Sequence, residues 1–207
     1  KTASDMVVGF LGLGAMGGPM VKQLLKAGYG VVAFDLSAER LAEAVSAGAQ
    51  KAADAGEVVE RAEIMLASLP SSEAFVGVAD RELVPRARAG QVFVDLGTTT
   101  APETRRIAGE LAARGAALVD APVSGGPGGA QRGELRMFVG GDEAAVGRVM
   151  PLLKAIGGES FLTHCGGSGA GQIVKGVNQL MMGLANAAYP EAVAFGVRAG
   201  VPAEVIG

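Results

Sequence analysis

The stretch Gly9–Met20, "GFLGLGAMGGPM", constrains this chain more than any other. It sets Gly12, Gly14 and Gly17 in G-x-G-x-x-G spacing, directly after an apolar run and directly before a helical pattern. Spacing alone carries little weight, because 33 of the 207 residues are glycine, about twice ordinary usage. The surroundings supply the weight. "MVVGFLG" reads as a buried strand. "GGPMVKQLLKAG" reads as a helix with Met20, Leu24 and Leu25 on one face and Gly28 as its stop. "VVAFD" is a second strand ending in Asp35, 18 residues after Gly17. In such a unit Gly12 permits the tight turn, Gly14 lets the backbone approach a pyrophosphate, and Gly17 lets helix and sheet pack closely. Leu13, Ala15 and Met16 complete the loop, and the helix N-terminus supplies unpaired N–H groups for phosphates. Asp35 can accept from ribose hydroxyls, and its charge repels a 2′-phosphate. NAD is therefore the expected cofactor, with NADP less favoured. The plainer alternative is a tight turn followed by a solvated aspartate.

The alternation of short apolar runs with helical stretches continues along the chain, the pattern of a parallel sheet wrapped by helices. Ser37 can cap the helix "AERLAEAVSAG", and "EVVERA" leads into the strand "IMLASLP". "QVFVDLG" and "AALVDAPV" are later strands separated by the helix "PETRRIAGELAARG". "RMFVGG" and "ESFLTH" are the last strands, with "DEAAVGRVMPLLKAIG" between them. The fold class expected is α/β, a Rossmann-type doubly wound parallel sheet followed by a long helix. Ligands of such sheets bind beyond the carboxyl ends of the strands, which nominates Leu69, Pro70 and Thr98 as further cofactor contacts; Pro70 equally suits plain turn chemistry. From Gly169 to Arg198 runs a mostly apolar helix pattern, with Pro190 expected to kink or break it. A helix apolar nearly all round needs cover on every side. The short tail after it cannot provide that cover, so a further domain, a partner subunit or both are expected.

Composition narrows the partners. With 49% hydrophobic and 19% charged residues and a net charge of −3, nothing draws the chain to nucleic acid or to an anionic membrane. The apolar strand runs fall far short of the roughly 20 residues of a membrane span. The start "KTASDM" lacks the pattern of a signal peptide, and Met6 reads as the natural first residue with Lys1–Asp5 added ahead of it. One cysteine, Cys165, excludes an internal disulfide and suits a reducing, cytoplasmic setting. With a single histidine, His164, beside it, no metal-ligand set can be assembled, and a structural role is expected for both.

Two further segments carry chemistry. "DAPVSGGPGGAQRG", Asp120 to Gly133, follows a strand and offers the Ser124 hydroxyl and the open backbone of Gly125 and Gly126, which suits a small anion. Taken alone, a flexible loop is the plainer reading. In "GSGAGQIVKGVNQ", Lys175 and Asn178 lie three apart and share a helix face. Burial would lower the lysine's pKa and prepare it for proton transfer near neutral pH. A solvated stripe accounts for the pair as well.

Together, "GFLGLGAMGGPM" with its Met16 before the third glycine, "DAPVSGG" with the later "VGGD", and "GAGQIVKGVNQ" resemble the motifs of the β-hydroxyacid dehydrogenases, in this order and across almost the whole chain. The resemblance implies reversible NAD(P)-dependent oxidation of a small carboxylate-bearing 3-hydroxy acid to a semialdehyde or keto acid. It implies Lys175 as general acid/base, Asn178 as its companion, and Ser124, Gly125 and Gly126 as the substrate-carboxylate site. It also implies residues 6–165 as the NAD(P)-binding domain and 166–207 as a long interdomain helix and the start of an all-helical domain. That second domain, in the family, closes the site and supplies dimer contacts, so a homo-oligomer is expected and the chain reads as truncated before it. Three departures stand out. Gly97 occupies the usual serine position of "DLGTTT", leaving open whether Thr98 or Thr99 meets the cofactor; Glu134 stands where threonine is common; and Gln179 replaces the second asparagine of the usual pair. Imine reductases share the opening motif, but Lys175 argues against them. A catalytically silent NAD-binding or interaction module is the alternative outside enzymes.

Overall fold

The computed structural model describes residues 6–206; the reading of Lys1–Asp5 as an addition lies outside the described residues. Short apolar runs form the strands of the parallel sheet apart from the exposed edge pair Gln50–Lys51. β1 (Val7–Leu11), β2 (Gly30–Phe34), β3 (Gln50–Lys51), β4 (Ile64–Ala67), β5 (Val92–Asp95) and β6 (Ala117–Asp120) are parallel, in the order β3-β2-β1-β4-β5-β6. Between them run α1 (Gly17–Lys26), α2 (Ala38–Ser46), α3 (Ala55–Arg61), α4 (Ser72–Val78), α5 (Val84–Arg86) and α6 (Ala101–Ala112). Neighbouring residues of one strand enter opposite cores, which is why strands covered on both faces read as unbroken apolar runs. Val8, Phe10, Val31, Leu66 and Val94 join Met20 and Leu24 of α1 and Leu41 of α2. Leu11, Val32, Met65 and Phe93 join Val58 of α3, Phe75 of α4, and Ile107 and Leu111 of α6. Gly28 and Gly48, both at positive φ, follow α1 and α2 as expected stops, and Ser37 caps α2 through its hydroxyl.

The carboxyl-terminal part of the sheet differs from a uniform parallel array. After β7 (Val123–Ser124) and α7 (Gly126–Arg132), β8 (Arg136–Gly140) pairs antiparallel with β6 and β7. α8 (Glu143–Gly157) then carries it to β9 (Leu162–Gly166), parallel to β8. The segment expected as a plain loop after Asp120 is thus a short strand and a helical turn. Residues 72–86, for which the sequence pattern offers no element, form α4, one π-helical turn over Ala79–Leu83, and α5.

α9 (Ala170–Arg198) is continuous, with Pro190 inside it, and α10 (Ala203–Ile206) follows. Of the kink or break expected at Pro190, no break occurs. The carbonyl that loses its N–H donor there is that of Asn186, on an exposed stretch where water can bond it. Only Gly171, Gln172 and Lys175 of α9 are buried, while Leu180, Met181, Leu184 and Phe195 are largely exposed. Among the described residues no helix is both long and apolar enough to cross a membrane.

Candidate active site

The strand order reverses beside β1: the chain moves outward to β2 and β3, then returns to β4 on the other side. The crevice at such a switch point is where open α/β sheets take ligands. Here it is a cleft of about 930 Å³ lined by Gly12, Gly14, Ala15, Met16, Gly17, Asp35, Leu69 and Pro70, all expected cofactor contacts. Leu13 is buried, and its role is through the backbone: its N–H donates to Asp35 Oδ2 at 2.5 Å. Asp35 Oδ1 accepts from Ser37 N–H at 2.7 Å, so the carboxylate is aimed before any ligand arrives. Sequence reading missed Ser68, Arg40 and Arg81, which also line the cleft. Arg81 sits on the π-helical turn, and no local pattern announced it.

The three glycines differ in what enforces them. Gly12 has φ +87, and a Cβ there would stand 2.3 Å from the Ser68 carbonyl oxygen. A Cβ on Gly17 would stand 1.9 Å from the Gly12 carbonyl oxygen. Gly14 has no positive φ, and its nearest neighbour would be Arg40 Nη1 at 3.8 Å. Among the described residues nothing stands against a side chain there, so packing within the chain does not account for this glycine. The α1 N-terminus has no capping side chain and no acid in its first turn; the Gly18 N–H donates to the Gly14 carbonyl at 3.0 Å and Pro19 has none, so an anion there would meet the backbone of the loop ahead of Gly18. Glycines that let a backbone approach, an uncapped helix start and an aimed carboxylate together fit the pyrophosphate and ribose of a dinucleotide.

The remaining expected residues lie outside this cleft. Thr98 is exposed, whereas Thr99 is buried and bonds inward: its Oγ1 donates to Asp95 Oδ2 at 2.6 Å. The protein's own bonds thus consume Thr99 and leave Thr98 facing outward. A Cβ at Gly97 would stand 3.1 Å from Asp95 Oδ1, a tight fit with no φ requirement behind it. Ser124, half-buried, ends β7 opposite Arg136, and Gly125 and Gly126 follow at φ +135 and +63. Lys175 is 6% exposed, and its Nζ donates to Gln179 Oε1 at 3.3 Å. Among the described residues no carboxylate pairs with it, and burial holds the amine below the ordinary lysine range. Asn178, half-buried, lies one turn on, its Nδ2 toward Met182 Sδ. His164 Nε2 lies at 3.2 and 3.1 Å from the carbonyl oxygens of Gly141 and Gly166, and Cys165 Sγ donates to the Thr163 carbonyl.

Asp120 links the two outlying segments. It ends β6 four residues before Ser124, and its carboxylate accepts from the N–H groups of Gly169 and Gln172 at 2.8 and 3.0 Å. A Cβ on Gly171 would meet the Phe138 carbonyl oxygen at 2.2 Å, so the start of α9 lies backbone to backbone on the sheet. The carboxylate that precedes the glycine loop therefore also seats the helix bearing Lys175. Burial raises the pKa of Asp120, and that of Asp95 is pushed up to about 6 by burial against bonds from Thr99 and Gly97.

That rise has a sign. Between 3.8 and about 6 the folded chain holds a proton on Asp95 that the unfolded chain has released. The Asp95 contribution to stability therefore falls as the pH rises through that window and is level above it. The fall is about 3 kcal/mol. Urea unfolding across the window should show the wild type losing about that much relative to Asp95→Asn; parallel pH profiles for the two proteins would contradict it.

Comparison with known proteins agrees with this geometry. The family model described as the NAD binding domain of 6-phosphogluconate dehydrogenase matches residues 7–167. The chain is 41% identical to the 3-hydroxyisobutyrate dehydrogenase of Pseudomonas aeruginosa, over 96% of this chain and 67% of the relative. It is 37% identical to the NAD-dependent L-serine dehydrogenase of the same organism, again over 96% and 67%. Among solved structures, Mycobacterium tuberculosis 3-hydroxyisobutyrate dehydrogenase with L-serine superposes at a TM-score of 0.88 with 33% identity, covering 95% of this chain and 67% of that one. An imine reductase from Pseudomonas sp. stands further off, at 25% identity and a TM-score of 0.81, over 96% and 69%. The chain spans about two thirds of the length of the curated relatives it matches.

Proposed function

Because this chain belongs to the β-hydroxyacid dehydrogenase family and carries its NAD-binding domain, we propose that it serves the transfer of a hydride between NAD and a small 3-hydroxy acid. The products are a semialdehyde or keto acid, and substrates of the 3-hydroxyisobutyrate, glycerate or serine type fit the reading. The observation that carries it is the buried Lys175, without a carboxylate partner among the described residues, on a helix whose first turn is bonded to the strand end leading into the Ser124 loop.

The glycine loop and the α1 N-terminus would hold the pyrophosphate, Asp35 the adenosine ribose hydroxyls, and Leu69, Pro70 and Thr98 the remainder of the dinucleotide. NAD, when bound, supplies the acceptor for the hydride that leaves the hydroxyl-bearing carbon. Ser124 and the backbone N–H groups of Gly125 and Gly126 receive the substrate carboxylate. Lys175 in its neutral form takes the hydroxyl proton as the C–O double bond forms, and in the reverse direction returns it to the carbonyl oxygen. Burial lowers the amine's pKa below the ordinary lysine range, which favours the neutral form. Asn178 keeps the substrate in register with the lysine. Residues 6–165 are the cofactor domain in this reading, and 166–207 open a second, helical unit that covers the exposed length of α9 in a cytoplasmic homo-oligomer. The imine reductases share the fold at lower identity than the hydroxyacid dehydrogenases, and the lysine favours the latter.

Initial rates with a panel of 3-hydroxy acids, each with NAD and NADP, test the reading; rates confined to substrates lacking a carboxylate would overturn it. Asp35→Asn should weaken NAD binding at least about tenfold, the low end of the worth of one hydrogen bond to a charged group. It should also raise the NADP-to-NAD ratio of kcat/KM, and an unchanged ratio would remove Asp35 from cofactor choice.

A further inference from the structure

We propose that Gln172 is the positioning residue of the Lys175 site, its carboxamide holding the turn of α9 that carries the lysine against the Gly97–Thr99 loop after β5. The inference rests on the reading of Lys175 as the proton-transfer group. Gln172 is 5% exposed and lies three residues before Lys175, on the same helix face. Both ends of its side chain are engaged. Oε1 accepts the Thr99 N–H at 3.1 Å, while Nε2 donates to the Gly97 carbonyl at 3.0 Å and to Asp95 Oδ2 at 3.3 Å. Its own backbone N–H donates to Asp120 Oδ2 at 3.0 Å. One residue thus ties α9 to the ends of both β5 and β6.

The partners enclose Thr98, the exposed residue of the loop that borders the cofactor side in the reading above. A slide of this loop against α9 would change the spacing between the cofactor side and the lysine. Displacements near 1 Å at a reacting centre cost about 100-fold in rate. A carboxamide of this length is what the site requires. A methionine would leave the Thr99 N–H and the Gly97 carbonyl unpaired, and a glutamate would set a second carboxylate against Asp95. Other polar residues of α9 do not share this duty: Gln179 bonds Lys175 itself, and Asn178 reaches Met182.

The test compares Gln172→Met, Gln172→Glu and the exchange Asp95→Asn with Gln172→Glu, in which the amide donor and the carboxylate change sides. In Gln172→Met, kcat should fall about 10- to 100-fold, while KM for the hydroxy acid and the NADH dissociation constant move less than about threefold. The Thr99 amide should exchange its hydrogen faster in the same variant, a readout that needs no turnover. Gln172→Glu should lose activity comparably, and the exchange variant should recover part of the kcat that Gln172→Glu lost. Wild-type kcat in a folded Gln172→Met, or a loss confined to KM, would overturn the positioning role. If Gln172→Met does not fold, an exchange variant no better than Gln172→Glu overturns it instead. A Lys175→Ala protein that keeps its turnover would sink the reading of the lysine, whereas wild-type kcat in Gln172→Met beside an inactive Lys175→Ala sinks only the role of Gln172.

Discussion

Lys175→Ala should lower hydroxy-acid oxidation by about 100- to 10,000-fold, the usual worth of a placed acid–base group, and leave NAD binding within about twofold. The separation follows from the fold. Lys175 stands on the second turn of α9, outside the cleft formed by the glycine loop, Asp35 and the β4 end. Its removal takes away no group that lines that cleft. It also leaves no buried charge without a partner, because the lysine pairs with no carboxylate among the described residues and its ammonium donates to the Gln179 carboxamide. Stability should therefore hold or rise. Lys175→Arg is the sharper control: it keeps a cation but one that cannot give up its proton near neutral pH, so it should be as inactive as the alanine variant. Steady-state rates and NADH fluorescence titrations check both.

Gly17→Ala should cost about 3 kcal/mol or more of stability, at or above the usual range for overpacking. Its Cβ would lie 1.9 Å from the Gly12 carbonyl oxygen, backbone against backbone, with no flexible side chain to give way. Against a total stability of roughly 5–15 kcal/mol, such a loss removes much of the margin. Gly14→Ala should behave oppositely. Its nearest neighbour is 3.8 Å away, so unfolding should shift by less than about 0.5 kcal/mol while NAD affinity drops at least about tenfold. Chemical unfolding and NADH titration of both variants separate the glycine that packs the domain from the glycine that admits the cofactor. Equal effects of the two substitutions would mean that the loop serves packing alone.

How much of this was legible beforehand depends on how local each cause is. The parallel sheet was legible because strands covered on both faces leave unbroken apolar runs such as "IMLASLP" and "QVFVDLG", with helices between them. The cleft beside β1 was legible because its glycines, the helix start and Asp35 lie within one short strand–helix–strand unit. Leu13 was named, but its backbone bond to Asp35 was not foreseen. The antiparallel return of β8 and the helical turn α7 were hidden in "SGGPGGAQRG", where glycine and proline suit a loop as well as a helix start. Of the kink or break expected at Pro190, no break occurs: the cost of a lost N–H depends on whether water can reach the orphaned carbonyl, which no pattern states. Gln172, Asp95 and Asp120 were read only as members of a strand or a motif. Their bonds cross 49 to 77 positions of sequence, and only the folded chain brings them together. The uncovered length of α9 was anticipated from its apolar composition alone.

The central claim is that this fold aligns a hydroxy acid with NAD and that Lys175 moves the proton. The most direct measurement uses 3-hydroxyisobutyrate carrying deuterium on its hydroxyl-bearing carbon, in ordinary water, with mass analysis of the nicotinamide product. The account predicts NADH that carries the deuterium with the wild type, and the same labelled product formed about 100- to 10,000-fold more slowly with Lys175→Ala. NADH without deuterium, or labelled NADH formed equally fast by Lys175→Ala, would contradict it.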